Sequence, residues 1–267
     1  VSQLTTIKNI TVSLQPENLQ AVQIPCKIVN DSNVIATYDI QTIGIDPFSR
    51  VYFWFNAELE NGTTVSSSSF WFDYVDNRFQ WKSNTSKLFT IFWVNGESKY
   101  AQTIQQIARS SLERATLILP VAPRIPIEIY VYPDIASLNS IFSIDTDYYL
   151  NGRALLKANR ILVVDNPTLD DTTDVERSIP HEMMHLLQYT VLGSNYTYAP
   201  TWLLEGLAVQ SELYANSDRE RYLRKAIENG KLTPIDELCW GISQDPSQMN
   251  IDYAHSASLV KYIQNTY

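Results

Sequence analysis

The stretch His181-Glu182-Met183-Met184-His185 constrains this chain more than any other. Two imidazoles four residues apart on a helix share one face, with Cβ atoms ~5–6 Å from each other. That spacing lets both bind one metal ion, and tetrahedral zinc is the usual occupant of such a pair. Glu182 lies beside the ion, where its carboxylate can take a proton from an attacking water. Only three histidines occur in 267 residues, and two of them are in this pentapeptide, which favours a metal site over two hydrogen-bonded core histidines.

A catalytic zinc site takes three protein ligands and keeps one position open. The metzincin pattern needs a histidine six residues after His185 and a glycine three after it. Those positions hold Val191 and Gln188, so that class is excluded. An acidic ligand on a following helix remains, and the run Thr201-Trp-Leu-Leu-Glu-Gly-Leu-Ala208 supplies Glu205. Trp202, Leu203, Leu207, Val209, Leu213 and Tyr214 fit one broad helical face, and Glu205 stands at its edge, where it can turn toward a neighbouring helix. Alone, Glu205 reads as a solvated surface carboxylate; twenty residues after His185 it reads as the third ligand. Gly206 should cost ~1 kcal/mol relative to alanine in a helix interior. Close approach of another helix near the metal would explain it. Glu212, seven residues beyond Glu205 and on its side of the helix, is either plain helix surface or a group that orients a ligand.

H-E-x-x-H followed by W-x-x-E-G-x-A resembles the gluzincin branch of zinc metallopeptidases and, within it, the peptidase-MA-like family of bacterial, mostly secreted proteins. Phe72-Asp73-Tyr74 with Phe79-Gln80-Trp81, the strand Ile127 to Tyr132, Pro180, Trp202 to Ala208, and Tyr253-Ala254-His255-Ser256 carry the resemblance, which spans roughly residues 70 to 267. It implies a thermolysin-like catalytic domain acting on a peptide or protein substrate at a secreted or cell-surface location. By motif position it implies His181, His185 and Glu205 as ligands of one catalytic zinc ion and Glu182 as general base. The oxyanion of the reaction needs a further donor. Tyr253 is the better-matched candidate and His255 the second, because relatives usually carry glutamine where His255 stands. The Gly-x-Met-Glu-Asn strand of gluzincin aminopeptidases has no match, which favours an endopeptidase. A catalytically inactive extracellular binding or adhesion protein that retains the zinc is the alternative.

A net charge of −9 argues against nucleic acid or an anionic membrane as partner. No apolar run is long enough to span a bilayer. Cys26 and Cys239 are too few for a disulfide framework and read as two thiols.

The expected fold class is α+β. Period-two alternation in 7–14, 21–29, 34–43, 51–59, 67–74 and 87–94, punctuated by turn signals such as Asn61-Gly62, reads as an N-terminal all-β sandwich over residues 1–95. Its aromatic residues then fill the facing layers. From Ser98 the period becomes helical, which places a metallopeptidase domain at 96–267 with a small mixed sheet and the motif helices. That motif helix begins near Val175 or Ser178 and ends at Gly193. Pro180 bends it in the first case and sits harmlessly in the first turn in the second. Ser217 to Glu220 reads as a capping box, and Asn250 or Asp252 as the cap of a last helix. The resemblance places the strand Arg160 to Asp165 at the sheet edge above the metal, where a substrate backbone can add as one more strand.

Overall fold

Strands occur within the runs read between residues 7 and 94, with 40–43 of the run 34–43 lying outside the described residues, and they feed three sheets, one of them a two-stranded ribbon. In a computed structural model of the chain, residues 7–17, 19–30, 33–39, 45, 48–142, 151–167 and 171–267 are described. The chain divides into two units: one runs to Phe79 and takes in Ile141 and Phe142 among the described residues, and the other holds the remainder. The first unit ends its main run at Phe79, ahead of the boundary that the sequence suggests near residue 95. The run 87–94 alternates like its predecessors, but pairing partners assign a strand to a sheet, and β9 (Phe89–Trp93) pairs with a strand further down the chain.

The first unit contains a five-stranded antiparallel sheet. Its strands are β1 (Ile7–Pro16), β2 (Val22–Pro25), β5 (Arg50–Leu59), β6 (Thr64–Ser66) and β7 (Phe70–Asp73). The order is β2-β1-β5-β6, and β7 continues along the same edge of β5, pairing Arg50 to Phe53 where β6 pairs Asn56 to Glu58. Asn61-Gly62 makes the β5–β6 turn, with Gly62 at φ +80° and the Asn61 side chain accepting from Thr63 N at 3.0 Å. A separate ribbon pairs β3 (Lys27–Asn30) with β4 (Asn33–Ile35). The second packed sheet that a sandwich needs is not among the described residues. Nor do the β7 aromatics fill a facing layer, since Phe70, Trp71 and Phe72 are each exposed.

The second unit is mixed α/β. Its five-stranded sheet runs β11 (Gly152–Leu155), β12 (Arg160–Val164), β10 (Ile127–Tyr132), β9 (Phe89–Trp93), β8 (Lys82–Thr85). The three central strands are parallel, and both edge strands are antiparallel to their neighbours. Helix α1 (Ser98–Ile118) connects β9 to β10, as a parallel pair requires a long crossover. Alternate strand residues Phe89, Ile91, Trp93, Ile127, Ile129, Val131, Ile161 and Val163 meet Ile104, Ile107 and Ala108 of α1 in one buried core. Helix α2 (Ile135–Asn139) is a single short turn.

Helix α3 (Val175–Leu192) adds Val175, Ile179, Met183 and Leu187 to that core. Their helical spacing gives α3 a buried stripe, each fully buried side chain contributing roughly 1.5–3 kcal/mol. Pro180 lies within the helix and cannot donate to Glu176 O. The amide of Leu213 takes that carbonyl instead, at 3.1 Å, and the Ser211 hydroxyl donates to Pro180 O at 2.8 Å. The corner after the next helix, α4 (Thr201–Ser211), is thereby fastened to the proline site. Helix α5 (Ser217–Glu228) follows, capped by Asn216, one residue before the expected cap. After a single turn, α6 (Ile235–Leu238), comes α7 (Pro246–Thr266). Asp245 caps α7, accepting from the amides of Ser247 and Gln248, with Pro246 in the first turn. Asp252, read as a possible cap, is instead buried inside α7, where it accepts from Thr233 Oγ1 at 2.6 Å and Ser243 N at 2.9 Å. Both cysteines are free.

The close approach at Gly206 is real, and its partner is α7. A methyl group at Gly206 would stand 2.5 Å from Ser256 O and 2.6 Å from Val260 Cγ2. Because the nearest atom is backbone, no side-chain rotation relieves the clash. Gly206→Ala is expected to cost about 1–3 kcal/mol, read as a lowered midpoint in urea or thermal unfolding; an unchanged midpoint would mean that α4 and α7 do not pack this closely.

Candidate metal centre

Helices α3 and α4 bring His181, His185 and Glu205 together. Both imidazole Nε2 atoms face Glu205 Oε2, at 3.1 Å from His181 and 3.6 Å from His185. All three ligand atoms lie within 4.8 Å of one another. In a tetrahedral shell with metal–ligand distances of ~2.1 Å, neighbouring donors stand ~3.4 Å apart. The two measured separations fall on either side of that value, so the three residues fit one divalent cation.

The far side of each ring is also fixed. Gln188 Nε2 donates to Leu204 O at 2.8 Å, so Gln188 Oε1 faces His185 Nδ1, at 2.9 Å. The oxygen must accept there, which places the proton on Nδ1 and turns the Nε2 lone pair to the site. The Tyr196 hydroxyl, from the 3-10 turn Gly193–Tyr198, stands 3.0 Å from the same nitrogen. His181 Nδ1 faces Glu212 Oε1 at 3.3 Å, and Arg219 of α5 donates to that oxygen at 2.5 Å. Glu212 is therefore buried against His181, although it lies just past the end of α4 and not on it. Gln188, Tyr196 and Arg219 escaped the sequence reading. Gln188 was examined only as a position lacking glycine, and no local pattern marks the other two.

Electrostatics make the centre a site for positive charge. Burial alone would lower the pKa of His181, but hydrogen bonds to Glu205 and Glu212 outweigh it and raise the value to about 10. Burial likewise opposes the charge on His185, and the Glu205 carboxylate raises its pKa above the ordinary one. Burial pushes Glu205 up, yet the two histidines hold it well below the usual carboxylate range. Carboxylates and protonated imidazoles thus balance each other where a divalent cation can replace the protons.

Glu182 is buried and lines the same cavity of about 280 Å³ as the three donors. Its side chain packs on the edge strand: a methyl group at Gly152 would meet Glu182 Cγ and Oε1 at 3.2 Å. The strand along the cavity is β11, through Gly152, Arg153 and Ala154. This corrects the expectation for Arg160 to Asp165, which forms β12 in the sheet interior between β11 and β10. The chain adds a short antiparallel strand outside it, as edge strands commonly do.

Tyr253 of α7 also lines the cavity, with its ring centroid 5.8 Å from that of His181 and edge to face. Its hydroxyl makes no hydrogen bond among the described residues, and burial, with the Glu205 and Glu182 charges, pushes its pKa up so that it stays a donor. His255 does not join it. Two residues on, it points ~200° around the helix and is not among the cavity-lining residues, and its buried Nδ1 has no partner.

Because cation binding must expel the proton from His181, affinity is expected to rise with pH below about 10, by about tenfold per unit for each proton released; titrations between pH 6 and 8 read this slope. The metal-free protein has the opposite dependence. A pKa raised from 6.5 to about 10 stabilises the fold fully below 6.5 and loses that contribution as pH climbs through about 10. Gln188→Leu, which frees His185 Nδ1, should weaken cation binding roughly ten- to hundredfold, measured by competition with a chelating dye.

A search of curated proteins gave no match. The family model described as Peptidase MA superfamily matches residues 107–267, a span holding α3, α4, α7 and every donor of the cluster. The match covers more than half of the chain, which therefore belongs to the Peptidase MA superfamily, a metallopeptidase-type assignment with which the His181–His185–Glu205 cluster is compatible.

Proposed function

We propose that the protein is a zinc-dependent endopeptidase of the gluzincin type, with His181, His185 and Glu205 as metal ligands and Glu182 as general base. The observation that carries this reading is the convergence of those four side chains on one cavity lined by the edge strand β11. Two imidazoles and one carboxylate match the donor set of a catalytic zinc site. A bound zinc ion supplies Lewis acidity and makes water nucleophilic near neutral pH.

The chain's own residues divide the remaining work. β11 is the edge strand of its sheet among the described residues, and an extended peptide can add alongside it as a further strand, held by main-chain hydrogen bonds along the cavity. Glu182, pressed against Gly152 of that strand, accepts the proton of the attacking water and returns it to the leaving amine. Tyr253 donates its hydroxyl proton in a hydrogen bond to the developing oxyanion. Glu212, held by Arg219, keeps the His181 ring oriented, and Gln188 does the same for His185. His255 is given no part.

Glu182→Gln is expected to bind zinc as tightly as the parent and to lose peptide hydrolysis, by at least about a hundredfold. Metal analysis alongside cleavage of a mixed peptide library measures both. Equal rates for the two proteins would overturn the assignment of the base, and a parent that binds zinc but cleaves nothing would point to a binding protein.

A further inference from the structure

A second cavity adjoins the metal centre and is built from different chemistry. It measures about 510 Å³ and shares Gly152, His181, Glu182 and Tyr253 with the first. The opening turns of α3 supply one wall, through Arg177 and Ser178. Arg177 precedes His181 by four residues, as His181 precedes His185, so the three lie along one row of the helix. Four residues of helix rise ~6 Å, less than two residues of an extended peptide at ~3.3 Å each. Arg177 therefore lies within reach of a residue next to the bond placed over His181.

A guanidinium carries five N–H donors and cannot shed its charge. That of Arg177 makes no hydrogen bond or ion pair with any described residue, and its Nε is shielded from solvent without an acceptor. Shielded donors are normally satisfied, and a shielded cation normally has a counter-ion. The acids facing the cavity do not supply one. Glu212 is taken up by Arg219 and His181, Glu182 packs on Gly152, and Asp174 is exposed. Asp171, which feels the Arg177 charge, is exposed and does not line the cavity. Much of the remaining wall is neutral and polar, including Asn151, Asn216 and Asn250.

We propose that this cavity is the subsite for a substrate residue flanking the cleaved bond, and that Arg177 selects a carboxylate there. The proposal rests on the peptidase reading and adds the substrate class. The planar fork of a guanidinium matches the two oxygens of a carboxylate, whereas an amide of the same shape leaves a donor facing a donor and an ammonium is repelled. The carboxylate can belong to a Glu or Asp side chain or to the end of the peptide chain.

The test uses the zinc-loaded full chain and matched fluorogenic peptides that differ at one flanking position, Glu, Gln or Lys, each with a free and an amidated C-terminus. In the parent, kcat/KM for Glu should exceed that for Gln by roughly ten- to hundredfold, with Lys last. Arg177→Gln should bring the Glu-to-Gln ratio close to one, and Arg177→Glu should favour Lys. A preference that survives amidation assigns the carboxylate to the side chain; one that needs the free terminus assigns it to the chain end. Equal cleavage of all peptides by the parent overturns the subsite and leaves the peptidase reading intact. Cleavage of none overturns the peptidase reading, and anisotropy of the same labelled peptides then tests the subsite alone, with equal binding of Glu and Gln peptides refuting it.

Discussion

Everything at the metal centre depends on α3 and α4 being held within hydrogen-bonding distance along their length. Three contacts do this, and all use groups that a regular helix would satisfy internally or leave to solvent. Gln188 joins Leu204 O to the His185 ring, Ser211 joins Pro180 O, and Leu213 N takes the Glu176 carbonyl. The last exists because Pro180 has no amide proton to give. A residue that weakens the helix therefore provides the acceptor that fixes the corner carrying Glu212. On the proposed reading each imidazole is supported from behind, His185 by Gln188 of α3 and His181 by Glu212 of this corner.

Charge follows from that geometry. Glu182, Glu205 and Glu212 are drawn into a small, largely buried volume, an arrangement that is costly unless cations answer it. Arg219 answers Glu212, and the protons on the histidines answer Glu205. A divalent ion answers the same carboxylate more compactly, which is why this donor set reads as a metal centre and not as a salt-bridge network. Arg177, on the same helical row as the histidines, has no ion-pair partner among the described residues.

The parts of the site legible in the sequence are those set by helical spacing. His181 and His185 share a face because four residues make about one turn, and Glu205 is placed by the W-x-x-E-G-x-A motif. The rest depends on long-range contacts. β11 is four residues with a charge in the middle, too short for alternation to register, yet it displaces Arg160 to Val164 from the sheet edge. The run 87–94 looks like one more strand of the first unit because alternation shows that a face is buried but not against which sheet. The start of α7 is legible as Asp245-Pro246, a cap followed by a first-turn proline, ahead of the expected Asn250 or Asp252. Tyr253 lines the cavity and His255 is not among its lining residues, because residues two apart on a helix point ~200° from each other.

Two glycines show what joins these local elements into one centre. Gly206 follows Glu205 and lets the α7 backbone come into contact at Ser256, three residues beyond Tyr253. Gly152 lets the edge strand rest on Glu182 and Ser178. At each position a side chain would separate a functional group from its neighbour: the Tyr253 helix from the Glu205 helix in one case, the sheet edge from Glu182 in the other. Neither glycine has a positive φ, so turn geometry does not require them. Approach distance requires Gly206, where a Cβ would stand 2.5 Å from a backbone oxygen, and favours Gly152, where it would stand 3.2 Å from side-chain atoms.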